Sequence, residues 1–283
     1  MHTTKITILK VLSAPAIIYI LAGTLWPLYH LIELCVFEKG SYVGLANFIR
    51  VFNDKLFFNS LQITAIFSIT SVLIELLLGI ILAVIVAHLK TFLQKILVIL
   101  LVLDIMISPV GVALIWRFLL YPNIGLIDTL TRILFSLNVS WLGEPFWATI
   151  TIIIVDVWHW TGFTFIIIFA GYISLPGVVF EAAQVDGAST LQQFFKITLP
   201  LLKPTIAVAA LFRSIDILQA FPEIWQLTFG GPAYATTILN LLVYIQTFDA
   251  HDWSYAAVVS IVLVILSFTI TFVYSILKQR WAT

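Results

Sequence analysis

Polar residues are scarce in this sequence, so those at regular spacing carry most of its chemical information. Arg213, Asp216, Gln219, Glu223 and Gln226 follow at intervals of three, three, four and three, which is the spacing of one helical face. Asp156, His159 and Phe163 share a second face. Trp160, Thr161 and Thr164 stand close by, and Trp158 points elsewhere. Carboxylates, amides and hydroxyls beside aromatic rings suit a hydroxylated ligand: the polar groups bond its hydroxyls and the rings cover its C–H faces. The plainer reading of the first row is an internal Arg213–Asp216 pair that serves packing. The plainer reading of His159 is a satisfied buried residue. Thr64, Ser68, Ser71 and Glu75 form a third row, which reads as interhelical hydrogen bonding; Asp104 and Ser108 read the same way. No GxxxxGK[ST], HExxH or GxSxG pattern occurs. The single cysteine, Cys35, excludes an intramolecular disulfide framework and any multi-cysteine metal site. Whatever reaction this chain depends on must be supplied by a partner.

The most informative segment runs over 177–202. It contains Glu181-Ala182-Ala183, then Asp186-Gly187, then Phe194, Phe195, Ile197, Leu199 and Pro200. Local chemistry predicts two short helices around a break. Asp186-Gly187 is a turn signal with a permissive backbone. Ser189 can cap a second amphipathic turn whose apolar members are Leu191, Phe194, Phe195 and Ile197, and Pro200 is expected to end it. An exposed aliphatic and aromatic stripe of this kind fits a groove on another protein.

The pattern EAA, three residues, G, nine residues, I-x-L-P resembles the signature loop of permease subunits of binding-protein-dependent ABC importers. Glu181, Ala182, Ala183, Gly187, Ile197, Leu199 and Pro200 fill every fixed position. Two further segments are similar to the carbohydrate-type branch, which includes maltose and glycerol-3-phosphate permeases. One is Gly44-Leu-Ala-Asn47-Phe48 with Phe57-Phe58-Asn59-Ser60-Leu61; the other is Gly230-Gly231-Pro232-Ala233 with Ala235-Thr236. Phe180 stands where the family usually has Tyr, and Gln184 and Gln192 replace residues that are often basic. The resemblance implies a type I importer permease fold. Its loop would be a coupling helix, with Asp186, Phe194 and Phe195 beside the fixed positions, docking on a cytoplasmic ATPase dimer. The further partners implied are a second, different permease subunit and an external solute-binding protein. No cofactor is expected in this chain, because ATP and Mg belong to the ATPase.

The elements that must position these residues follow from composition. Of 283 residues, 61% are hydrophobic and 10% charged, against about 45–50% and about 25% in a soluble domain. Lys+Arg and Asp+Glu are equal at 14 each, so no basic face can dominate, which argues against a nucleic-acid partner. The chain reads as an all-α membrane protein forming one permease domain over 1–283, with spans near 11–34, 61–87, 96–121, 146–173, 203–229 and 254–277. Pro109 is expected to kink the third. With the N-terminus inside, the cytoplasmic segments hold Lys5, Lys10, Lys90, Lys95, Lys196, Lys203, Lys278 and Arg280, and the outer ones hold Lys39, Arg50, Lys55 and Arg132. That bias places both termini in the cytoplasm. Residues 238–248 are too short to cross and are expected to bring Asn240 and Tyr244 towards a solute arriving from outside.

The expected function is an ATP-driven importer subunit that carries a sugar-like solute across the inner or plasma membrane by alternating access. Arg213, Asp216, Gln219, Glu223, Asp156, His159, Trp160, Asn240 and Tyr244 are its candidate pathway residues. The alternatives are an ion-coupled transporter using Glu75, Asp104, Asp156 and Asp216 as proton carriers, and a membrane-embedded enzyme or structural subunit. The first leaves the 177–202 loop unexplained; the second has no catalytic constellation to support it.

Overall fold

Long apolar runs have no water to pair their backbones, so they must close their own hydrogen bonds as helices. The computed structural model describes residues 2–38 and 40–282, with side chains at 15, 18–38 and 40–276. The elements in chain order begin with α1 (His2–Val36), β1 (Phe37–Glu38), β2 (Ser41–Tyr42), α2 (Ala46–Phe52), α3 (Lys55–Ala87), α4 (Thr91–Val102) and α5 (Pro109–Leu119). They continue with α6 (Leu126–Phe135), α7 (Pro145–Ile173), α8 (Gly177–Val185), α9 (Thr190–Gln193) and α10 (Leu199–Asp216). The last are α11 (Phe221–Thr228), α12 (Leu239–Tyr244) and α13 (Trp253–Ala282). Among the described residues, five helical runs are long and apolar enough to span, and the pair α4 and α5 makes a sixth.

The chain divides into two compact units, Met1–Phe57 with Leu242–Val262, and Phe58–Leu241 with Leu263–Thr283. In the first, β1 and β2 form a hairpin that pairs Phe37 with Tyr42 and Glu38 with Ser41. The buried Asn47 amide donates to the Cys35 carbonyl at 3.0 Å and so caps the end of α1. Arg50 pairs with Asp252, whose other oxygen accepts from Tyr255 N at 3.0 Å and caps α13. Tyr255 in turn donates to Asp54 at 2.8 Å.

In the second unit, α7 carries the core. Phe165, Ile168 and Phe169 pack with Ala83 and Val86 of α3 and Leu202 and Ala209 of α10. Glycines permit the close approaches. A Cβ on Gly79 would meet Thr164 Oγ1 at 2.9 Å, and one on Gly171 would meet Thr205 at 2.7 Å.

Two expected spans differ from straight helices. The third bends by 97° between Met106 and Pro109, a break rather than a kink. Pro109 has no N–H and disfavours a helical residue before it, and Ser108 is accordingly extended, with ψ 143°. Asp104 and Ser108 are spent locally. Asp104 accepts from Ile105 N at 2.9 Å and Ser108 from Gly111 N at 3.3 Å, so the interhelical role expected for them is not observed. The fifth span stops at Gln219. Ala220 leaves the helix with ψ 58°, and α11 restarts with Pro222 in its first turn, where the missing N–H costs nothing. Residues 213–226 therefore do not form one continuous face.

The break in the third span rests on α7 at Gly162. A Cβ there would lie 2.0 Å from the Leu101 carbonyl oxygen and 2.7 Å from Asp104. Gly162→Ala is expected to lower stability in detergent by about 1–3 kcal/mol through overpacking, despite the better helix propensity of alanine. Gly23→Ala, which meets no atom within 4 Å, is the control and should be neutral or slightly stabilising. Equal thermal midpoints for the two variants would contradict this packing.

Candidate functional site

The buried centre of the second unit is organised by Arg213, whose side chain has 0% exposure. It lies on α10 one turn before the helix stops. Its Nε donates to Glu75 of α3 at 2.6 Å, and one terminal nitrogen donates to the other Glu75 oxygen at 2.9 Å. The same nitrogen reaches Asp156 of α7 at 2.9 Å, and the second terminal nitrogen reaches Asp216 at 2.6 Å. The guanidinium lies over the Trp160 ring at 4.8 Å, an additional cation–π contact. Three helices are thus tied by one cation. The expected Arg213–Asp216 pair exists, but as one arm of a larger network. Glu75 is fully buried, whereas the Asp216 side chain is 48% exposed.

His159, one turn beyond Asp156 on α7, forms a second connection. Its Nδ1 lies 2.5 Å from Glu223 Oε1 on α11, and its Nε2 lies 3.2 Å from the Ile107 carbonyl. A carbonyl only accepts, so Nε2 donates, and the contact between Nδ1 and Glu223 holds a further proton. The same imidazole therefore satisfies the carbonyl freed at the third-span break and holds the first turn of α11. Arg117 of α5 donates to the Gln226 carbonyl at 3.1 Å and lies over the Phe229 ring.

Gln219 is exposed at the end of the fifth span, apart from the buried Arg213 network. Asn240 opens into a cavity together with it. Tyr244 belongs to the other unit, where its ring packs against Phe248. Thr64 fulfils the interhelical role expected of it: its hydroxyl donates to Ser60 O and accepts from Leu239 N at 2.8 Å. Ser68 and Ser71 do not, since their buried hydroxyls have no partner among the described residues.

The 177–202 segment folds as two short helices around a turn. Glu181, Ala182 and Ala183 lie in α8, and Asp186 ends it. Gly187 takes φ +74°. Ser189 and Gln192 form a reciprocal capping box at α9. Phe194, Phe195 and Ile197 lie in a π-helical turn, Phe194–Thr198, that runs on into α10. Pro200 does not end the second helix as expected. It occupies the first turn of α10, where its absent N–H is tolerated. Val178, Val185, Leu191 and Phe195 are exposed along the segment.

The model of a protein family described as "Binding-protein-dependent transport system inner membrane component" matches residues 75–283. The chain belongs to this family. A trehalose/maltose transport system permease protein, MalF, of Thermococcus litoralis is 35% identical over 252 residues, covering 89% of this chain and 84% of the relative. A sulfoquinovosyl glycerol transport system permease protein, SmoG, of Agrobacterium fabrum is 30% identical over 272 residues, covering 93% and 87%. Among solved structures, a bacterial ABC transporter involved in the import of the acidic polysaccharide alginate superposes with a TM-score of 0.87 at 25% identity. That match covers 98% of this chain and 96% of the other.

The permease site gains one residue that the pathway reading of the sequence omitted. Glu75, placed in a row of interhelical hydrogen bonds, is the bidentate partner of Arg213. Its signal was a lone carboxylate in the middle of a span, which requires a partner.

Removing one member of a buried ion network leaves its partners uncompensated, at a cost of about 3–5 kcal/mol. Arg213→Ala is expected to lose that much stability in detergent-solubilised protein. Adding Glu75→Gln should recover part of the loss. Asp216→Asn, on the exposed arm, should cost about 0–1 kcal/mol. Chemical denaturation of the three variants checks this, and equal losses for Arg213→Ala and Asp216→Asn would refute the network's central role.

Proposed function

We propose that this chain is the membrane-spanning subunit through which an ATP-driven importer moves a sugar or sugar-like solute from an external binding protein into the cytoplasm. The observation that carries the reading is the 177–202 segment. Its complete motif spacing coincides with two helices, a left-handed glycine turn and an exposed apolar stripe that its own chain leaves uncovered. A stripe of that length fits the cleft of a partner protein, and here the partner is a cytoplasmic ATPase dimer. Glu181, Ala182, Ala183, Asp186, Gly187, Phe194, Phe195, Ile197, Leu199 and Pro200 are the coupling residues. ATP and Mg bind to that dimer and not to this chain.

The basic residues favour both termini in the cytoplasm, which puts this segment on the ATPase side. The second permease subunit is read as a different chain, giving a heterodimer. Sugar transport is supported by the named relatives, trehalose/maltose and sulfoquinovosyl glycerol permeases. It is also supported by the site's chemistry: Asp216 and Gln219 are exposed where the fifth span stops, with Trp160, His159 and Asp156 on the neighbouring helix. Closure of the ATPase dimer on ATP would move the coupling helices and switch the spans between inward-open and outward-open states.

Two outcomes test this reading. Gly187→Val places a β-branched residue at φ +74°, a strain of about 1–2 kcal/mol concentrated at the turn between the two coupling helices. The variant should insert normally but uncouple ATP hydrolysis from uptake; normal uptake with normal ATPase binding would reject the assignment. The purified chain alone should neither bind nor hydrolyse ATP, while co-purified ATPase activity should rise when binding protein is added. Hydrolysis by this polypeptide free of any ATPase would contradict the proposal.

A further inference from the structure

We propose that α6 is an anchor lying in the outer lipid–water interface, with its apolar face against lipid and Arg132 towards the headgroup phosphates; the choice of leaflet rests on the orientation in the reading above. The helix, Leu126–Phe135, follows the third span and precedes the fourth within the second unit. Its 10 residues give a length of about 15 Å, half the thickness of the hydrocarbon core, so it does not cross.

The polarity of α6 is inside out for a helix in water. Asp128 is buried, at 7% exposure, while Leu126, Leu130, Ile133 and Leu134 are exposed, Ile133 at 70%. Their spacing of four, three and one makes a single stripe. The polar side is spent on the chain itself. Asp128 accepts from Asn123 N at 2.9 Å, Thr131 donates to the Ile127 and Asp128 carbonyls at 2.9 Å, and Arg132 donates to Asn123 Oδ1 at 2.5 Å. The turn before the helix holds this orientation. Gly125 N donates to Tyr121 O at 2.8 Å, and a Cβ on Gly125 would run into the Leu119 carbonyl. The stripe cannot roll inward without breaking these bonds.

Permanence and continuity identify lipid as what covers the stripe. A contiguous aliphatic surface is unfavourable whenever it stands in water, and a binding protein that docks and leaves would bare it in every cycle, whereas lipid stays. The stripe also continues the exposed apolar surface of the spans: Phe118 and Tyr121 precede it, and Phe146 follows it at the start of α7. Trp141 and Trp147 pair edge to face at 5.5 Å beside that start, as suits a membrane boundary. Arg132 is exposed and commits one terminal nitrogen to Asn123, which leaves donors for a phosphate. A helix with an aliphatic face and a basic residue beside it lies in the interface plane. There it fixes the depth of α5, the outer half of the broken third span.

The test uses the assembled importer in proteoliposomes. In a Cys35→Ala chain, Leu130→Cys, Ile133→Cys and, as the control in the exposed loop, Asn138→Cys are each labelled with an environment-sensitive fluorophore. Emission at 130 and 133 is expected to lie to the blue of that at 138. Phospholipids carrying a nitroxide near the headgroup should quench it strongly, and those with the nitroxide at the chain end should quench it less. Added binding protein should change neither signal. With Leu126→Asp and Leu134→Asp in the same chain, quenching at 130 should be lost. Water-like emission at 130 and 133 overturns the proposal. So does blue-shifted emission that no lipid quenches, which gives the stripe to the second subunit, and so does a signal that moves with binding protein, which gives it to docking. Sidedness is read separately on spheroplasts with an impermeant maleimide. Reaction of Asn138→Cys only after lysis rejects the orientation and the leaflet with it, whereas normal reaction without lipid quenching at 130 and 133 rejects the anchor alone.

Discussion

A guanidinium buried in a helical bundle is tolerable only while its N–H groups have acceptors, and that requirement on Arg213 organises the centre of this protein. Glu75, Asp156 and Asp216 supply the acceptors from three helices, and each contact dictates which face of its helix turns inward. An exposed ion pair would contribute little. A buried one need not add net stability either, but breaking it strands a charge, so the alternatives to this arrangement are penalised more than the arrangement is rewarded. The network also bears on the ion-coupled alternative. A proton carrier must alternate between bonded states, whereas here three of the four candidate carboxylates are held by one fixed cation and the fourth, Asp104, accepts from its neighbour's amide.

The second constraint is the backbone. A helix interrupted inside a membrane exposes carbonyls and amides that lipid cannot satisfy, and this chain interrupts two spans. The third-span break is satisfied by His159 at Ile107 O. The last turn of α11 is satisfied by Arg117 at Gln226 O. The start of α12 is satisfied by Thr64 at Leu239 N. Side chains whose type alone suggests ligand binding are thus committed, in part, to the backbone. His159 is the clearest case: it carries the plainer role of a satisfied buried residue, yet through Glu223 it also holds the segment that follows the fifth-span break.

What was legible in the sequence is what local chemistry determines. The turn at Asp186-Gly187 and the cap at Ser189 were readable because each is fixed within a few residues. The spans were readable because apolar length decides them. The breaks were not, since hydropathy passes through a proline without registering it and a helical period can be counted straight across a residue that leaves the helix. For that reason the sequence implies no more than a kink at Pro109 and a single face over 213–226. The Glu75–Arg213 bond was out of reach for a different reason. It joins residues 138 apart in the chain, and nothing near either residue specifies the other.

The polar row of the fifth span is divided between the interior and the surface. At 3.6 residues per turn, residues six apart stand about 120° from each other around a helix, so Gln219 does not follow Arg213 towards the buried acceptors of α3 and α7. The helix tightens over Ile217–Gln219, which sets Gln219 over Asp216, and ends at Ala220. Arg213 stays sealed, Asp216 straddles the boundary at 48% exposure, and Gln219 turns out to the cavity beside Asn240. Beyond the break, Glu223 returns to the interior to meet His159. The row thus runs from a sealed cation through a boundary carboxylate to an exposed amide and back to a buried carboxylate.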